Sequence, residues 1–112
     1  MRSPIDFGLT VRGGVRAGRS TLVVHARRLP TGPAASDRAK LVGFVVPKAV
    51  GGAVVRNRVK RRLRHLARAE LARTPLGTQL VVRALPPSAS SDSLAQDLAS
   101  AWSRCLAKLA DH

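Results

Sequence analysis

The residues of this chain best suited to chemistry are cations. Arg56, Arg58, Lys60, Arg61, Arg62, Arg64 and Arg68 fall within thirteen positions, with no acidic residue among them. Arginine forks meet phosphate at two points and stack on flat bases, so such a run is equipped to hold a polyanion. Groups able to break a phosphodiester bond are far thinner. Protein-based cleavage needs clustered carboxylates for metal ions, or a paired general acid and base. The six acids, Asp6, Asp37, Glu70, Asp92, Asp97 and Asp111, are scattered without ligand spacing. Of the histidines, His25 falls in a strand pattern, His65 on the basic run and His112 at the terminus, so a His25–His65 pair would have to be made by folding. Cys105 is the only cysteine, which excludes an internal disulfide and leaves too few ligands for a zinc site. The chain is expected to carry no catalytic and no metal-binding residues of its own.

Those cations must be set against the whole. Twenty Lys and Arg face six Asp and Glu, a net charge of +14, and the excess persists outside the basic run. Such a balance strains a compact state and favours an anionic partner, with nucleic acid first in line. A length of 112 residues with 45% hydrophobic content fits one RNA-binding domain over residues 1–112, with one modest core. The opening MRSPIDFGL lacks the apolar stretch of a signal peptide, and no segment is long and apolar enough for a membrane span. With one cysteine, this points to a reducing, cytoplasmic setting.

The elements that position the cations can be read from periodicity. Ser3 to Arg12 suits a short helix, with Phe7 and Val11 on one side and Gly13–Gly14 as its stop. Thr21 to Arg28 is rich in β-branched residues and reads as a strand. LVGFVVP reads as a second, closed by Pro47; its nearly continuous apolar run predicts a central, buried place, and the two strands suggest a hairpin with a long connection. Phe44, of opposite parity to Val45, is expected in the core beneath a helix. QLVVRAL is a third strand, and Ser93 with Gln96 offers a capping box for a last helix. There Leu94, Leu98, Ala101, Trp102, Cys105, Leu106 and Leu109 form an apolar stripe at helical spacing, so Trp102 and Cys105 are expected to be core residues. The order read from the residues is α-β-β-α-β-α, an α+β sandwich.

The basic run itself is helical in pattern. Val55, Val59, Leu63, Leu66 and Ala67 share one side of a helical wheel, while Asn57, Lys60, Arg61, Arg64 and Arg68 share another, flanked by Arg58, Arg62 and His65. A solvated charged face normally interleaves acids, and a membrane-surface helix normally carries bulky aromatics. This helix has neither, which leaves polyanion binding. The absence of helix-turn-helix, zinc-finger and heptad patterns favours RNA over DNA.

The segment GFVVPKAVGGAVVRNRVKRRLRHL resembles the signature of the bacterial ribonuclease P protein subunit. The matching positions are Lys48, Gly51, Ala53, Val54, Arg56, Asn57, Arg58, Lys60, Arg61 and Arg64, with looser likeness at Asp6–Phe7, Gly14 and Leu80–Arg83. The resemblance implies an α-β-β-β-α-β-α sandwich of the ribosomal-protein-like superfamily, with a left-handed crossover around the basic helix. It implies a catalytic RNA subunit that carries the chemistry and holds the Mg²⁺, with Lys48, Arg56, Asn57, Arg58, Lys60, Arg61, Arg62, Arg64 and Arg68 as RNA-binding residues here. It further implies a cleft for the single-stranded 5′ leader of precursor tRNA, formed by Phe7, Val11, Val23, His25 and Val45. Valine stands at position 11 and histidine at 25 where the family tends to have aromatic residues, and Pro47-Lys48-Ala49 carries one cation fewer than the usual turn. No membrane and no obligate protein partner is expected. The rival readings are a structural or ribosomal RNA-binding protein and a nuclease that needs no RNA.

Overall fold

The computed structural model describes residues 14–28 and 40–111. The helix expected over Ser3–Arg12, with Phe7 and Val11, lies outside the described residues. Four strands form one sheet: β1 Val15–Gly18, β2 Leu22–Arg28, β3 Lys40–Val45 and β4 Thr78–Ala84. Two long helices follow β3 and β4, α1 Ala53–Ala72 and α2 Leu94–Asp111. The strand order is β1-β2-β4-β3. β1 with β2 and β2 with β4 are antiparallel, whereas β3 and β4 are parallel, so α1 is the crossover between adjacent parallel strands. The order β-β-β-α-β-α over the described residues has one strand more before α1 than the residue pattern gave, in keeping with the resemblance.

Two expectations about the strands are corrected. LVGFVVP does not pair with β2 and is not central. It supplies β3, an edge strand whose one described neighbour is β4. The hairpin partner of β2 is instead the short β1, closed where Arg19 N–H donates to the Leu22 carbonyl at 2.8 Å. A four-residue strand interrupted by arginine and ending in glycine shows too little alternation to be read from periodicity. The central positions fall to β2 and β4, and β4 is buried at every position but Arg83.

Each strand has a helix side and an opposite side. Leu22, Val24 and Ala26 of β2 and Leu80, Val82 and Ala84 of β4 share one core with Val59, Leu63 and Ala67 of α1. Leu94, Leu98, Ala101, Trp102, Cys105 and Leu109 of α2 complete it, as the stripe predicts, and Phe44 packs against its margin. Full burial of a leucine such as Leu63 stabilises by about 1.5–3 kcal/mol. The Trp102 indole N–H donates to Thr74 Oγ1 at 2.8 Å, and that hydroxyl donates to the Glu70 carbonyl, which ties α2 to the end of α1.

The start of α2 is capped differently from expectation. Gln96 is exposed, and Asp97 takes the acidic role. Its carboxylate accepts from Thr21 Oγ1 at 2.7 Å and from the hydroxyls of Ser93 and Ser20, while its N–H donates to the Ser93 carbonyl. Reaching Thr21 fastens the helix start to the β1–β2 turn, which Gln96 on the solvent side does not do. These bonds, the Thr21 one foremost, hold the Asp97 carboxyl below its usual range. At the start of α1, Gly51 sits at φ +157°, and a Cβ there would come within 2.9 Å of Val55, so this turn requires glycine.

Candidate nucleic-acid interface

The geometry of α1 follows from its composition. Its buried line is Val59, Leu63, Ala67 and Glu70, with Val55, Leu66 and Leu71 packed at its edges. The rest of the circumference is cationic. Arg58, Arg61, Arg62, Arg64 and Arg68 are exposed, as is Asn57, while Arg56 and Lys60 are half-buried along the border with the sheet. Among the described residues the ion pair present is Arg73 with Glu70, which leaves the stripe itself without acidic neighbours. Glu70 lies on the buried line, so its charge is spent locally.

At the N-terminal end of the stripe, Val46, Ala53, Arg56, Asn57 and Lys60 line a cavity of about 130 Å³. The Arg56 Nε beside it is buried with no hydrogen-bond partner among the described residues. An unmet guanidinium N–H next to an amide and an ammonium makes this a place for an anionic oxygen. Lys48 stands just upstream, exposed on a 3₁₀ turn, Lys48–Val50. All nine cations and amides named from the sequence therefore lie on one element or the turn that introduces it.

Of the expected cleft residues, the three that are described lie on the other side of the sheet, while Phe7 and Val11 fall outside the described residues. Val23 and His25 share the face of β2 turned away from the helices, and Val45 shares it on β3. Val23 and Val45 are half-buried; His25 is buried, 5% exposed, and its Nδ1 has no partner among the described residues. Burial first, then the nearby Arg16 and Arg83, holds the imidazole below its usual pKa. His65 stands on the solvent side of α1, so folding does not bring the two histidines together. No group of three His, Cys, Asp or Glu side chains that could hold a metal ion comes together among the described residues. Cys105 is buried against the β2 backbone, and burial pushes its thiol up to about 11.

Two residues of the sheet face escaped the sequence reading. Arg16 belongs to the strand that periodicity missed. Arg83 could have been found, because it shares strand parity with Val81 and Gln79 and breaks an otherwise apolar run.

Comparison with known proteins places this architecture. The sequence pattern of the family Ribonuclease P fits residues 1–106. The Ribonuclease P protein component of Streptomyces avermitilis is 53% identical over 111 residues, covering 95% of this chain and 90% of that protein. That of a Nocardioides species is 51% identical over 109 residues, covering 97% and 89%. Among solved structures, the RNase P protein of Staphylococcus aureus superposes with a TM-score of 0.74 at 21% identity, over 98% of this chain and 93% of that one. The RNase P protein from Thermotoga maritima gives 0.71 at 24% identity, over 89% and 91%.

Proposed function

This chain belongs to the ribonuclease P protein family, and we propose that it acts as one RNA-binding domain that serves a catalytic RNA in two ways. It is the protein part of an endoribonuclease that matures tRNA 5′ ends, and the RNA subunit is its partner. The cationic stripe of α1 offsets repulsion between the phosphates of that RNA and those of the substrate. The opposite sheet face, with Val23, His25 and Val45, takes the single-stranded leader of precursor tRNA, together with Phe7 and Val11 of the first segment. Precursor is thereby favoured over mature tRNA. Mg²⁺ belongs to the holoenzyme and is held mainly by RNA, since the chain's described acids are dispersed and its field is strongly positive. The cytoplasm, where precursor tRNA is found, is the place for this work. No helix among the described residues is long and apolar enough to cross a membrane.

The observation that carries this reading is the exposed stripe of Asn57, Arg61, Arg64 and Arg68. It runs beside the Arg56–Lys60 cavity with no acid to neutralise it among the described residues. The test is cleavage of a 5′-extended precursor tRNA at low Mg²⁺ by the protein alone, by a bacterial catalytic RNA of this type alone, and by both. Cleavage at the mature 5′ end that requires both supports the subunit role. Cleavage by the protein alone would make the chain a nuclease in its own right. Tight RNA binding with no gain in cleavage would make it a structural RNA-binding protein.

A further inference from the structure

The stripe on α1 does not account for all the exposed cations. Arg16 of β1 and Arg83 of β4 stand on the sheet face turned away from both helices, and both are exposed. Their places follow from the register. Arg83 lies directly across from Val23 on one side and from Val45 on the other. It therefore rises between the two valines of the proposed leader cleft. Arg16 lies directly across from His25, one row along the same face. At neighbouring-strand spacings of about 4.8 Å and about 3.4 Å per residue, their Cα atoms stand roughly 12 Å apart, diagonally across His25. Each perturbs that histidine, so the fields of both arginines converge on the floor of the face. Neither side chain has an ion-pair partner among the described residues.

The surroundings decide what such a pair can hold. Gly18, across from Val23, has no side chain, and a Cβ there would meet only Val23, in ordinary contact at 3.7 Å. Phe44 and Trp102 belong to the opposite, core side of the sheet. Among the described residues this face thus offers aliphatic side chains, Val23, Leu41 and Val45 half-buried and Val81 buried, and two guanidinium groups without an ion-pair partner, with no exposed ring. Stacking on an aromatic ring stabilises each unpaired base by about 1–3 kcal/mol, and the described residues here do not provide it. A guanidinium supplies charge-assisted bonds to phosphate and a flat surface besides.

We propose that Arg83, together with Arg16, grips the phosphates of unpaired RNA on this face, so that charge-assisted bonds from the sheet form part of this chain's hold on the 5′ leader. The proposal rests on the leader-cleft reading above and names residues that contribute to the cleft's affinity. Leader recognition is then tolerant of base sequence and sensitive to salt.

The experiment uses holoenzyme reconstituted from the full chain and its catalytic RNA. Binding of precursor tRNA and of mature tRNA is measured across a salt series for wild type, for Arg16→Gln and Arg83→Gln singly and together, for Arg83→Lys, and for Val23→Glu. In the double variant, the salt slope of the precursor-over-mature preference should fall by about 1.4, since each single-strand phosphate contact contributes about 0.7. The preference itself should drop by an order of magnitude or more at moderate salt. Arg83→Lys should keep the slope and lose part of the affinity. Binding of mature tRNA, assembly with the catalytic RNA and the melting temperature should stay at wild-type values. A double variant that keeps the wild-type preference would overturn the proposal, as would one that loses affinity for the catalytic RNA instead of for the leader. If wild type itself gives no preference, the leader-cleft reading fails. If wild type discriminates and Val23→Glu abolishes this while the arginine variants do not, the cleft stands and the phosphate grip falls.

Discussion

Replacing Arg61, Arg64 and Arg68 together by glutamine tests the main interface most directly. All three are exposed on one stripe of α1, while the core contacts of that helix come from Val59, Leu63 and Ala67. From Arg61 to Arg68 the helix rises about 10 Å, at about 1.5 Å per residue. A duplex DNA strand presents a phosphate about every 3.4 Å of axis, and the phosphates of an A-form RNA strand are set closer still along the axis, so three side chains can meet three phosphates. Each contact contributes about 0.7–0.9 to the slope of log K against log salt, so the triple variant should lose roughly 2–3 from that slope. At about 0.1 M salt this corresponds to a hundredfold or more in affinity, near 3 kcal/mol. Glutamine keeps helix propensity and removes like-charge neighbours at i, i+3 and i, i+4, so the melting temperature should hold or rise. The assay is equilibrium binding to the catalytic RNA over a salt series, with circular dichroism melts as control. An unchanged slope in a folded variant would refute the assignment of the stripe to RNA phosphates.

Two further outcomes follow from the packing. Trp102→Phe removes the indole donor to Thr74 Oγ1 and leaves a gap in the core, and should cost about 1–3 kcal/mol in urea unfolding followed by far-UV circular dichroism. His25 has a lowered folded pKa, so between that value and 6.5 the unfolded chain binds more protons than the folded one. Stability should be unaffected by His25 above about pH 6.5 and should fall as the pH drops through and below that value. His25→Gln, measured in the same pH series of thermal melts, should flatten this part of the curve; an unaltered curve would contradict the burial and charge environment given to His25.

The sequence by itself determined the cationic face of α1 almost in full. The stripes of α1 depend on local 3.6-residue periodicity, so Asn57, Arg61, Arg64 and Arg68 could be placed on one side, and Leu63 on the other, without any knowledge of the fold. The same local rule gave α2 its buried face with Trp102 and Cys105. The sheet was another matter. A strand's place is fixed by partners distant in sequence, and the apolar run of β3 does not distinguish a central strand from an edge strand beside a long helix. β1 was too short and too polar to show a period, yet it is the hairpin partner of β2 and brings Arg16 opposite His25. The contact between Asp97 and Thr21 spans 76 positions, and no local capping rule could select it over Gln96. Only the tertiary structure decided that Arg83 stands between Val23 and Val45, because register across three strands is a property of the assembled sheet and of no single segment.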